Sequence, residues 1–104
     1  MKNNRLLPIL GLCRKAGRLK YGFDSVKDTL IKKEAELVVF ASDISERTKD
    51  RMERLAAEQG TRTVSAPFTM SELAFALGLG KNTAIAAICD KGFAELFLSR
   101  TEEK

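Results

Sequence analysis

Two short runs restrict the fold more than anything else in the chain: Leu37-Val-Val-Phe-Ala41 and Ala84-Ile-Ala-Ala-Ile-Cys89. Neither alternates polar with apolar residues, so neither suits a sheet with one wet face. Both are expected to be central strands covered on both sides. Around them lie stretches with helical periodicity, and the connections are too short for strands to be joined without them. The element order reads α-β-α-β-α-β-α-β-α. This predicts an α/β fold with a mixed or parallel sheet between two helical layers.

In the first helix Leu6, Ile9, Leu10 and Cys13 follow the i, i+3, i+4, i+7 spacing of a buried stripe. Asn3 or Asn4 is positioned to cap it, and Pro8 is tolerable because it lies in the opening turn. Ala16-Gly17 ends this helix, with Gly17 left-handed. Leu19-Lys20-Tyr21 reads as a short strand, and Gly22 turns the chain into a second helix capped by Asp24 or Ser25. There Val26, Leu30 and Ile31 are expected to face inward, and Lys27, Lys32 and Lys33 outward.

A third helix opens at Asp43-Ile-Ser-Glu46, capped by Asp43 or Ser45. Thr48, Met52, Leu55 and Ala56 form its inner side, and Asp50 and Arg54 are spaced to pair on its charged face. Thr63-Val-Ser-Ala66 supplies a strand that Pro67 terminates. Thr69-Met-Ser-Glu72 has the capping-box pattern, with Phe68 and Leu73 at the spacing of a hydrophobic staple. Gly78 to Gly80 stops that fourth helix. Asp90 leads into the last one, with Phe93, Leu96 and Phe97 inward.

Residues 1 to 104 read as one domain, large enough to bury a core without disulfide or metal. No apolar run approaches the ~20 residues a membrane span requires. No signal-peptide pattern is visible, so the expectation is a cytoplasmic monomer with no membrane role. The two cysteines, Cys13 and Cys89, each fall in an apolar segment and are expected to be buried free thiols.

The absence of histidine removes Ser-His and Cys-His nucleophilic chemistry and the usual zinc donor sets. Asp43 and Asp90 follow buried strands, where α/β sheets place ligands, but each also precedes a helix and is expected to cap it. Gly78-Leu-Gly80-Lys81 resembles part of a phosphate loop, yet it follows a helix and lacks the Ser or Thr after lysine. Neither catalysis nor a cofactor or metal is expected.

Charge points to binding. The net charge is +4, yet residues 1 to 23 carry six Lys or Arg and no acid, leaving the remainder at −2. Arg14, Lys15, Arg18, Lys20 and Lys27 surround Gly22 in sequence, where the unpaired N–H groups of a helix start favour an anion. The loop Pro67-Phe68-Thr69 joins this candidate site if the sheet brings both connections to one end.

Leu10-Gly-Leu-Cys-Arg-Lys-Ala-Gly17, Gly22 at a helix start, Ala35-Glu-Leu-Val-Val39, Ala41-Ser-Asp43 and Asp90-Lys-Gly-Phe93 together resemble the ribosomal L-seven-Ae family. The short bacterial members, often labelled YlxQ, are the most similar. The resemblance spans nearly the whole chain and implies a three-layer α/β/α sandwich, a mixed four-stranded sheet with helices on both faces, and a non-catalytic protein that binds structured RNA, ribosomal or kink-turn-like, with the ribosome as one candidate partner. It also implies that RNA is met at the second helix start by a Gly-x-Asn-Glu-x-x-Lys run and by the loop before the fourth helix. Here that run is Gly22-Phe23-Asp24-Ser25-Val26-Lys27-Asp28, which keeps only the glycine. A second reading follows from the departure: a protein-interaction module on the same fold that has lost kink-turn binding.

Overall fold

The computed structural model describes residues 5–101. Five helices alternate with four strands: α1 (Leu7–Lys15), β1 (Leu19–Tyr21), α2 (Phe23–Ile31), β2 (Leu37–Phe40), α3 (Glu46–Glu58), β3 (Arg62–Ser65), α4 (Met70–Leu77), β4 (Ile85–Ile88) and α5 (Lys91–Thr101). The strands lie in the order β1-β4-β2-β3. β4 runs antiparallel to both neighbours, β1 and β2, while β2 and β3 are parallel. Of the mixed or parallel arrangements that the element order allows, the sheet is the mixed one that the resemblance implies, with β2 and β4 adjacent at its centre and buried at every position.

Alternation along those strands divides the core. Leu37, Val39, Ala86 and Ile88 meet α1, α4 and α5, together with Leu10, Phe68 and Phe97. Val38, Phe40, Ile85 and Ala87 meet α2 and α3 through Val26, Leu30, Met52 and Ala56. Successive strand residues point to opposite faces, so one apolar run feeds both layers.

Local signals account for most of the ends. Gly17 takes φ 75°, and Gly78 caps α4 in the left-handed region with φ 73° and ψ 29°. Thr69 and Glu72 form the reciprocal capping box, and Phe68 and Leu73 share one core. Ser45 caps α3. Asp43 instead accepts the Met70 N–H across 2.8 Å, so an aspartate at the end of β2 caps a helix 27 residues later. Asp90 accepts the Phe93 N–H at 2.9 Å, as expected of a cap.

Several expectations are corrected. Neither Asp24 nor Ser25 caps α2; Gly22 occupies the N-cap position, and no side chain bonds to that end. Ile31 is 56% exposed because Thr29, which donates to the Ser25 carbonyl, takes the inner position beside Leu30. Leu96 turns outward, and Ala94 and Phe97 hold the inner face of α5. Cys89 lies just past β4 and is half-buried, whereas Cys13 is fully buried; both are free thiols. Arg54 forms no ion pair with Asp50. The proposed caps Asn3 and Asn4 lie outside the described residues.

Candidate nucleic-acid interface

Strand direction decides which loops meet. β1, β2 and β3 all point one way and β4 the other, so the segments after Tyr21, Phe40 and Ser65 emerge at the same end where the chain enters Ile85. The condition for Gly22 and Pro67–Thr69 to share an end is therefore met. They stand at opposite edges, however, because β4 and β2 lie between β1 and β3, a span of about 14 Å at the usual strand spacing. The segment beside Gly22 is instead the one leading into β4. Gly22 donates its N–H to the Ile85 carbonyl at 3.0 Å, and a groove of about 450 Å³ opens between Tyr21–Ser25 and Leu79–Thr83.

The α2 end of this groove has the features of an anion site. Gly22 adopts φ 89° and ψ 154°, a conformation open essentially to glycine alone, and the helix begins at the next residue. The opening N–H groups of a helix lack intrahelical partners, and here no side chain substitutes for them. Phe23, Asp24 and Ser25 line the groove from one side; Gly80, Lys81 and Asn82 line it from the other. From sequence Lys81 reads only as part of a phosphate-loop fragment that stops a helix, and Asn82 carries no signal of its own. The available signal was Gly80-Lys81-Asn82 after a helix stop, but its relevance depends on β4 pairing with β1.

The basic residues of the first third separate. Arg14 donates from Nη1 to the Leu77 carbonyl at 2.6 Å and lies 5.7 Å from the Tyr21 ring centroid, so it fixes the end of α4 against β1. Arg18 precedes β1 and Gly22 follows it, which places them about 13 Å apart along the strand. Lys15, at the end of α1, precedes that same turn. Neither converges on Gly22. Lys20 is exposed in mid-strand, and Lys27 is exposed one turn into α2. Asp28 is exposed and pairs with Lys32 at 3.0 Å, which raises the lysine pKa through the Asp28 hydrogen bond and charge.

On the far edge Pro67 is exposed and Thr69 half-exposed, but Phe68 is fully buried. Its side chain serves the core, and its carbonyl accepts the Ser42 N–H at 2.7 Å. Phe68 is thereby corrected from a candidate contact to a packing residue. Among the described residues no cluster of three His, Cys, Asp or Glu could hold a metal ion, and no helix is long and apolar enough to cross a membrane.

Many solved structures share this architecture, and two illustrate it. A protein of unknown function from Bacillus halodurans C superimposes with a TM-score of 0.87 at 21% identity, over 95% of this chain and 98% of the other. The Giardia lamblia 15.5kD RNA binding protein superimposes with a TM-score of 0.77 at 17% identity, over 95% and 83% respectively. No curated protein matches in sequence. At these identities the likeness establishes the fold. The sequence itself matches the family model over residues 5–98, and the chain belongs to the ribosomal protein L7Ae/L30e/S12e/Gadd45 family.

Proposed function

We propose that the protein is a non-catalytic binder of structured RNA, of kink-turn or ribosomal type, acting in the cytoplasm as a monomer. The observation that carries this reading is the groove in which the uncapped start of α2 faces Gly80-Lys81-Asn82. Family membership and the RNA-binding Giardia neighbour support it.

In this reading a phosphate sits at the first turn of α2, where free N–H groups and the helix dipole favour negative charge. Glycine at position 22 lets the backbone approach without a side chain in the way. Lys81, Lys20 and Lys27 supply screened attraction around it, and Asn82 offers an amide able to donate to and accept from a base edge. Asp24 contributes acceptors only. It suits a base edge rich in N–H donors and repels a phosphate placed close to it.

The test is titration of the purified protein with a kink-turn hairpin and with a plain duplex of equal length at several salt concentrations. The expected result is binding that weakens with salt, tighter for the kinked RNA, and weakened with a shallower salt slope in Lys81→Ala and Lys20→Ala. Flat titrations with both RNAs at low salt would remove the RNA reading and leave the protein-interaction module.

A further inference from the structure

Most of the charge on α3 is sorted by flank, with Lys49 and Glu58 as exceptions. Glu46, Asp50 and Glu53 stand at i, i+4 and i+7, and Arg47, Arg51 and Arg54 repeat that spacing one residue later. One residue is about 100° around a helix, so two stripes of opposite sign run along different sides of it. The acidic stripe lines a groove with Ser42 and Ser65, where Lys49 offsets one of its three negative charges. The arginine stripe turns towards α2: the Arg51 guanidinium lies over the Phe23 ring, 4.7 Å from its centroid, and Phe23 is the first residue of α2. Lys27 lies one turn beyond Phe23 on that helix.

Mixed charges on an exposed helix ordinarily pair at i+3 or i+4. Here Arg47, Arg51, Arg54 and Lys27 are all exposed, and among the described residues none of them is ion-paired. Arg51 is also pre-positioned. Stacking on an aromatic face restricts its rotamers before any ligand arrives, and its fork of donors matches phosphate oxygens.

We infer that the arginine stripe of α3, with Lys27, is a second phosphate-contact surface, carrying the RNA backbone from the groove at Gly22 across the α2–α3 side of the molecule. The inference rests on the RNA reading above and adds a surface to it. From Arg47 to Arg54 the helix rises about 10 Å, enough to follow about three phosphates of a nucleic-acid strand. The acidic stripe repels the same strand and confines its path to one flank of α3. An acidic protein could match the arginines, but Arg51, the middle of the stripe, lies over the first residue of the uncapped α2, which places the stripe next to the groove an extended polyanion would leave.

The experiment compares two doubly neutralised proteins, each lacking two surface cations. Arg47→Gln/Arg54→Gln removes the ends of the stripe and leaves the Arg51 stack intact; Arg62→Gln/Lys91→Gln removes exposed charges elsewhere. Each is titrated with the RNA, kink-turn hairpin or plain duplex, that the wild type binds more tightly, between about 50 and 200 mM salt. The stripe double should lose ~25-fold in affinity, about fivefold per arginine at a 4 Å phosphate distance in water. Its salt slope should fall by about two units, and the control should lose less than about threefold. Equal losses in the two doubles, or an unchanged stripe double, would overturn the inference while leaving the RNA reading standing. Absence of wild-type binding at low salt would remove both.

Discussion

The Cys13 thiol donates to the Arg18 carbonyl at 3.1 Å, and the same oxygen accepts the Cys89 N–H at 2.8 Å. The end of α1, the start of β1 and the end of β4 are thus joined at one atom, which fixes where the edge strand begins. Burial, with smaller contributions from Cys89 and Asp90, pushes the Cys13 thiol from 9.0 up to about 11. Burial raises Cys89 as well, but it is only half covered. A thiol-specific reagent should therefore modify Cys89 first in the native protein and reach Cys13 only on unfolding. A folded pKa above the unfolded one means that the neutral Cys13 thiol contributes stability fully below pH 9. That contribution is lost as pH rises through 11. Urea midpoints measured across this window should fall more steeply for the wild type than for Cys13→Ala.

Gly22 is required for its backbone and not for lack of space. A Cβ built there meets nothing within 4 Å, yet φ is +89°. Gly22→Ala should cost about 1–3 kcal/mol from backbone strain alone. Gly80, across the groove, also has open space and no positive φ, so Gly80→Ala should stay within about 0.5 kcal/mol of the wild type. Equal urea midpoints for the two variants would contradict this account of α2's start.

Arg14 was grouped by sequence with the RNA-facing cations, but its bond to the Leu77 carbonyl makes it a clasp on the segment that follows α4. Arg14→Ala should cost about 1 kcal/mol for the lost hydrogen bond and accelerate amide exchange from Gly78 to Asn82. Arg14→Lys keeps the charge without the planar fork and should recover only part of the protection. Full recovery by lysine would mean that the charge alone matters.

The fold was legible because its central strands are unambiguous: five apolar residues at Leu37–Ala41 allow few placements. The helix stops at Gly17 and Gly78 and the box at Thr69 and Glu72 were readable because they depend on neighbours in the chain. Ile31 was misplaced because a buried threonine, Thr29, is hard to anticipate from an apolar stripe. Site assembly was less readable for a different reason. Whether Pro67–Thr69 or Leu79–Thr83 lies beside Gly22 depends on β4 entering between β1 and β2, a long-range pairing that no local pattern encodes. Arg18 and Gly22 look close in sequence, but an intervening strand is the most extended path a chain can take. Phe68 carried two signals, staple and loop, and burial selected the first.

Asp24 and Asp28 stand where the RNA-contacting run implied by the resemblance has asparagine and lysine. Asp28 is held by Lys32 at 3.0 Å, so its charge is already partly answered, and replacing it also frees Lys32. Reversing one charge about 6 Å from a phosphate changes the screened Coulomb energy by ~1.4 kcal/mol, about tenfold in affinity. Asp28→Lys should therefore tighten RNA binding by about tenfold, with a steeper salt slope. Lys32→Ala, which removes a cation and leaves Asp28 unanswered, should weaken binding. Asp24→Asn should act differently: an amide can donate to a base edge and an ionised carboxylate cannot, so it should sharpen discrimination between kink-turn and plain duplex. Parallel titrations of the three variants separate these effects. If Asp28→Lys and Lys32→Ala move affinity in the same direction, the phosphate does not lie along this side of α2, and the path over the α2–α3 flank must begin elsewhere.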